Sequence, residues 1–401
     1  MFWQKRLKDF VARMRHYALP LRLRLWNGLE VDLGDAPMVT FTIKSLRGLR
    51  HLLRPSVASL GQAYVEGEID LEGGIDDVIS LAVQLSAHNT RHGQVRHGPR
   101  LVRHTRRVDA EAIAYHYDVS NDFYRFWLDK EMLYSCAYFR TAADSLEQAQ
   151  EQKLDHILTK LDVRPGQTLL DIGCGWGALV LRAARKYGAR ALGITLSQNQ
   201  YDLARQRIAE AGLEDRVEIR LQDYRDVSGK FDRIVSVGMF EHVGLRNLRG
   251  YFGRIHDLLA DAGVCLNHGI TSTDPDSAEA PFGGGEFIER YVFPHGELPH
   301  LSFALKEMAA AGLEATDVEN LRRHYALTTH HWSRRFEQHG EQLKAMAGER
   351  RYRIWRAYLA GCAYGFNSNW IALHQILATK AGIGDATPLP LTRDYMYVGK
   401  A

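Results

Sequence analysis

The chain has 401 residues, enough for two domains with separate cores. Apolar residues make up 45 % and charged residues 25 %, a balance that excludes an extended disordered chain. Lys and Arg number 51 against 48 Asp and Glu, a net charge of +3. No stretch approaches the roughly 18–20 uninterrupted apolar residues needed to cross a bilayer.

The chain opens MFWQKRLKDFVARMRHY, where basic residues break every apolar run, so no secretory signal peptide is expected. Phe2, Trp3, Leu7, Phe10, Val11 and Met14 predict an amphipathic helix, its apolar face suited to core packing or to shallow contact with lipid. Alternation in 21–34 and again in 38–45 predicts strands separated by Gly and Asp turns. A helix near 46–54, a Gly-containing segment GEIDLEGG and a helix over 75–85 come next. Residues 1–110 hold 17 Lys/Arg against 11 Asp/Glu, or +6, and 91–107 contains six arginines, three histidines and no acid. Such a run reads as a solvated linker or as attraction to a polyanion, whether nucleic acid or anionic headgroups, and composition leaves these open. The expected organisation is a lipid-binding or accessory domain over 1–90, a basic linker over 91–110 and a catalytic domain over 111–401.

From about 110 the rhythm becomes α/β. QTLLDIGCGWGALVLRAARKYG reads strand, glycine turn, helix. Further strands fall in ARALGITLS, RVEIRLQD, FDRIVSVGMFE and AGVCLNHGIT, with helices between them. This pattern predicts a parallel sheet covered on both faces, with ligands beyond the carboxyl ends of its strands. The aromatic-rich part over 340–380 is expected to be mostly helical. Cys136, Cys174, Cys265 and Cys362 form no CxxC pair, so neither a zinc site nor a disulfide framework is indicated and a reducing, intracellular compartment fits.

The sequence LLDIGCGWG (169–177) ends an apolar strand at Asp171 and continues with Gly173, Gly175 and Gly177. Such a turn serves a dinucleotide or S-adenosylmethionine. The absence of a GxGxxG spacing, and Thr195-Leu196-Ser197 where a ribose-binding acid would end the second strand, favour S-adenosylmethionine. Gln222-Asp223-Tyr224 offers an edge for adenine, and Glu241-His242 at the end of the fourth strand is a candidate for handling a proton.

Five segments, YHYDVSNDFYRFWLDKEMLYSCAYF (115–139), LLDIGCGWG, GITLSQNQ (193–200), FDRIVSVGMFEHVG (231–244) and YVFPHGELP (291–299), together resemble the cyclopropane-fatty-acid synthase family. That family includes phospholipid cyclopropane synthases and mycolic acid methyltransferases; the former have an N-terminal domain to which 59–79 is similar. The resemblance implies a Rossmann-like class I methyltransferase domain behind a small N-terminal α+β domain. It implies that Tyr115, Tyr117, Tyr134, Ser135, Gly173, Gly175, Thr195, Leu196, Gln200, Asp223 and Tyr224 bind S-adenosylmethionine. It further implies a bicarbonate held by Cys136, Glu241, His268, Ile270 and Tyr325, and suggests a dimer.

The implied chemistry is attack of an acyl-chain double bond on the sulfonium methyl, then loss of a proton and ring closure. Aromatic faces stabilise the intermediate cation, and Tyr117, Phe139, Tyr291 and Trp332 are the candidates. The expected acceptor is an unsaturated phospholipid reached from the cytoplasmic face of an anionic bilayer, with no nucleic-acid partner. Three rival expectations remain. The same first step can end in a methyl-branched or methylenated chain, the acceptor can be a small amine, or a decayed methyltransferase can bind nucleic acid.

Overall fold

The structure, a computed structural model, describes residues 2–89, 120–276, 280–294, 296–382 and 388–397. The basic run 91–107, Tyr115 and Tyr117 lie outside them. The described chain divides into two compact units, one within Met1–Arg100, Glu279–Pro294 and Trp332–Trp370, the other within Leu101–Ala278, His295–His331 and Ile371–Ala401.

The first unit is built on strands β1 (Leu21–Leu25), β2 (Glu30–Asp32), β3 (Val39–Ile43) and β4 (Ile69–Glu72), in the order β2-β1-β3-β4 with β1 and β3 parallel. Strict alternation in LRLRL and VTFTI turns Leu21, Leu23, Leu25, Val39, Phe41 and Ile43 inward. The outer face carries ion pairs Arg22–Asp32 at 2.7 Å and Arg24–Glu72 at 2.8 Å. GEIDLEGG supplies β4, a strand too short to show an alternating pattern in sequence.

Helix α1 (Phe2–Arg15) buries Leu7, Phe10, Val11 and Met14 in the same core, so its apolar face is used for packing. Helices α2 (Leu46–Leu53), α3 (Val57–Val65) and α4 (Ile75–Asn89) complete the N-terminal part, the second capped by Ser45 and the third by a Ser56–Ser59 capping box. Later chain also contributes. Arg353, from a helix over Glu349–Asn367, donates to Tyr64 O at 2.9 Å and to Asp70 at 2.7 Å. The ring of Phe287, from a helix over Gly284–Tyr291, lies where a Cβ on Gly61 would approach within 2.7 Å. Tyr291 packs with Phe287 and Val65, and Trp332 is also buried in this unit.

The second unit is a seven-stranded sheet of β5 (Thr168–Ile172), β6 (Arg190–Thr195), β7 (Val217–Leu221), β8 (Phe231–Val237), β9 (Leu259–Ser272), β10 (Leu313–Asn320) and β11 (Ile371–Lys380). Their order is β10-β11-β9-β8-β5-β6-β7. Strands β5 to β9 run parallel, and β11 lies antiparallel between β9 and β10. Apolar clusters cover both faces, one around Ile157, Val180 and Ala204, the other around Ile234, Phe252 and Ile255. The expectation that 340–380 is mostly helical holds over Gly340–Ala347 and Glu349–Asn367, but the end of the range, Ile371–Lys380, is a strand. Burial on both faces removes the alternation that would have marked it, leaving an apolar run indistinguishable from a buried helix.

No described helix is long and apolar enough to cross a membrane. Alanine normally stabilises a helix relative to glycine, but at Gly61 the Phe287 ring reverses that sign. Gly61→Ala is expected to lower stability by about 1–3 kcal/mol through overpacking. Urea denaturation checks this, and Phe287→Leu in the same chain should restore part of the loss.

Candidate functional site

The glycine turn after β5 is forced by its neighbours. Gly173, Gly175 and Gly177 have φ of 83°, 55° and 83°, left-handed values that favour glycine. Gly173 and Cys174 both donate their amides to Ile194 O, at 3.0 and 2.9 Å, which folds the turn over the end of β6. A Cβ on Gly193 would come within 2.8 Å of Cys174, so the glycine of GITLS is required by that approach.

Beyond these strand ends opens a cleft of about 1030 Å³, part of which is open solvent. Of the residues expected to bind the donor, Tyr134, Ser135, Gly173, Gly175, Thr195, Leu196, Gln200 and Tyr224 line it. Thr195 Oγ1 donates to Gln200 Oε1 at 2.7 Å and accepts the Ser197 amide at 3.1 Å, tying β6 to the helix after it. Asp223 is not part of the lining: its carboxylate is gripped by Arg225 at 2.6 Å while Gln222 and Tyr224 face the cleft.

Sequence reasoning missed the floor of this cleft. Lys153 is almost wholly buried there and donates to Ser135 Oγ at 2.9 Å. Burial lowers its pKa to about 8, against the opposing pull of Asp129, Cys136 and Asp171. Asp171 also lines the cleft, with Oδ1 lacking a partner among the described residues; burial raises its pKa to about 7. A signal was available. In the helix over Leu146–Lys160 the buried face runs Leu146, Ala149, Gln150, Lys153, Leu154, Ile157 and Lys160, so polar residues sit on an apolar stripe.

A second focus lies at the ends of β8 and β9. Met239 and His242 line the cleft, and Glu241 between them is buried. Its Oε1 accepts the Ile270 amide at 2.6 Å, while Oε2 has no partner among the described residues. Burial raises the Glu241 pKa to about 7. The turn can approach because residue 269 is glycine: a Cβ there would sit 2.1 Å from the Phe240 ring. His268, two residues before Ile270 and on the same side of β9, is fully buried. Gln375 Nε2 donates to its Nδ1 at 3.2 Å, which leaves the imidazole proton on an Nε2 that likewise has no partner among the described residues. Burial holds this ring neutral, far below the ordinary histidine range.

Backbone contacts link Cys136 and Tyr325 through Leu321 to β11, the neighbour of β9. Leu373 pairs with Ile270 across β11 and β9, and its carbonyl accepts the Leu321 amide at 2.8 Å. Leu321 O in turn accepts the Tyr325 amide at 3.0 Å and lies 3.8 Å from Cys136 Sγ. Burial pushes the Cys136 thiol far above its usual range, so it stays protonated. Phe139 is buried nearby in sequence and stacks on His331 at 5.7 Å.

A family model described as mycolic acid cyclopropane synthetase matches residues 104–376, and a domain of unknown function matches 7–93. The chain belongs to the mycolic acid cyclopropane synthetase family. A probable fatty acid methyltransferase of Pseudomonas putida is 50 % identical over 381 residues, covering 94 % of this chain and 96 % of its own. Cyclopropane mycolic acid synthase 1 of Mycobacterium tuberculosis is 37 % identical and covers 66 % of this chain and 95 % of its own. The solved structure of mycolic acid cyclopropane synthase CmaA1 complexed with SAH and CTAB superposes with a TM-score of 0.65 at 36 % identity, over 68 % of this chain and 98 % of that one. The sheet is accordingly that of a class I S-adenosylmethionine-dependent methyltransferase, and the protein is an enzyme of that class.

The buried polar groups make the site sensitive to substitution and to pH. Lys153→Met removes the donor that orients Ser135 and should raise the KM for S-adenosylmethionine about tenfold, with kcat changed less; steady-state kinetics at saturating acceptor measure both. Glu241 has its folded pKa raised from 4.5 to about 7. Between those values the unfolded chain sheds the proton first, so stability falls as pH rises through the window and stays lowered above it. Glu241→Gln removes that penalty, on the order of 3 kcal/mol at most. The variant should therefore melt higher than the wild type at pH 8 and equally at pH 4, as thermal unfolding of the ligand-free enzyme will read.

Proposed function

We propose that the protein transfers a one-carbon unit from S-adenosylmethionine to the cis double bond of an unsaturated phospholipid acyl chain and closes a cyclopropane ring. The observation that carries this reading is the pair of buried atoms without a partner among the described residues, Glu241 Oε2 and His268 Nε2, beside the cleft. Methylation of an amine needs no such site, because the amine supplies the electron pair and sheds an acidic proton.

An alkene gives up its π pair to the sulfonium methyl: a C–C bond forms, the C–S bond breaks, and its electrons stay on sulfur. The neighbouring chain carbon is left cationic. A proton then leaves the new methyl, and the C–H pair closes the ring. The residues near that carbon must accept the proton without trapping the cation. Cys136 meets the second demand, since its thiol is protonated and its Sγ lies 3.2 Å from Ala137 O. His268 Nε2 and Glu241 Oε2 present two unsatisfied polar atoms, and Glu241, with a pKa of about 7, can hold or release a proton there, which suits a small oxyanion that must pass a proton on. A bicarbonate held there by Glu241, His268 and the neighbouring Cys136, Ile270 and Tyr325 would supply a compact base. Ile270 N–H fixes the Glu241 carboxyl, and Gln375 fixes the His268 tautomer.

A second reading shares the first step but ends in a methyl-branched or methylenated chain. It is favoured by two relatives covering nearly the whole chain, both named probable fatty acid methyltransferases, at 50 % and 35 % identity. The readings differ only in which carbon loses the proton. Incubation with S-adenosylmethionine and unsaturated vesicles, with analysis of the released fatty acids, separates them. A one-carbon gain that resists hydrogenation is the expected result, a gain that takes up hydrogen supports the second reading, and no gain overturns both. Glu241→Gln should retain donor binding by calorimetry and lose about 100-fold in kcat; an unchanged rate removes Glu241 from the mechanism.

A further inference from the structure

The first unit gathers exposed apolar side chains at one end of its sheet. β1 and β3 are parallel with Leu25 opposite Ile43, so the chain leaves both strands at the same end. After β1 comes the turn Trp26-Asn27-Gly28-Leu29, and after β3 comes the first residue of α2, Leu46. Trp26 is 39 % exposed, Leu29 46 % and Leu46 50 %.

The turn is not loose. Gly28 N donates to Leu25 O at 2.9 Å, Leu29 N to Asn27 Oδ1 at 3.2 Å, and the Trp26 ring rests 5.1 Å from that of Trp3 on α1. Tight turns are ordinarily polar, yet this one holds a tryptophan and a leucine toward water.

The two helices that reach that end carry exposed basic side chains. Lys5 and Lys8 on α1, and Arg47 and Arg50 on α2, are exposed, and α1 packs against α2. The acids nearby are engaged: Glu30 by Arg24, Glu68 by the Ser45 hydroxyl, Asp70 by Lys44 and Arg353. Asp9 is the exposed acid of α1. Tryptophan and leucine within a basic surround match the chemistry of an anionic bilayer surface, where indole sits at headgroup level and cations are attracted.

We propose that this end of the first unit, Trp26, Leu29 and Leu46 among Lys5, Lys8, Arg47 and Arg50, is the surface by which the enzyme docks on anionic membranes. The inference deepens the reading of the acceptor as a bilayer lipid. It supplies the fixed, apolar component of binding, distinct from the basic run 91–107.

The test uses the full chain and sedimentation with saturated phosphatidylglycerol vesicles, which contain no double bond to be modified. Trp26→Ser with Leu46→Ser should lower the partition coefficient about tenfold. Arg47→Gln and Arg50→Gln should each lower it about fivefold, a loss that shrinks as salt rises. Turnover of a detergent-dispersed acceptor should stay within twofold of the wild type. Circular dichroism checks folding, and the arginine changes, lying on the outside of α2, serve if the apolar pair unfolds the unit. Three outcomes overturn the proposal: unchanged partitioning, loss of binding only on neutralising Arg103, Arg106 and Arg107, or light scattering showing that the apolar pair instead breaks a dimer. Intact docking with no product on unsaturated vesicles would sink the acceptor reading and leave this surface standing.

Discussion

Glu241 Oε1 receives a 2.6 Å hydrogen bond from Ile270, while its other oxygen is left buried and unsatisfied among the described residues. Holding a carboxyl this way is costly, and burial raises its pKa to about 7. Much of the surrounding structure serves to keep it there. Gly269 lets Phe240 press onto β9, Glu297 accepts the Leu245 amide at 2.8 Å to close the loop, and the β9–β11 register sets His268 beside Gln375.

The cleft beyond the ends of β5 and β6 repeats the same strategy. Lys153 and Asp171 are withdrawn from water below the glycine turn, with pKa values brought to about 8 and about 7. Lys153 still donates to Ser135 Oγ, whereas Asp171 Oδ1 has no partner among the described residues. Asp171 stands at the carboxyl end of β5, and Lys153 reaches the same cleft from the helix over Leu146–Lys160.

The first unit answers a different demand. Its core is assembled from the N-terminal sheet and from helices that come hundreds of residues later, fastened by Arg353 to Tyr64 and Asp70. Arg356 joins the same network, donating to Glu337 at 2.6 Å and to the Tyr64 hydroxyl at 3.1 Å. The turn that carries Trp26 and Leu29 is held separately, by Gly28 N on Leu25 O, Leu29 N on Asn27 Oδ1 and the Trp3 ring.

The sequence by itself determined β1 and β3 through their alternation, β5 to β9 through their rhythm with helices, and the glycine turn, because period and turn chemistry are local; eight of the cleft-lining residues came through resemblance. It also singled out Glu241, His268 and Ile270 through resemblance. Only tertiary structure decided that Ile371–Lys380 is a strand, since two-sided burial erases periodicity. It alone revealed that Asp223 turns to Arg225, and that Lys153 is a buried cation rather than a solvated one. Charge in a sequence is visible, but whether water reaches it depends on which distant segments pack over it.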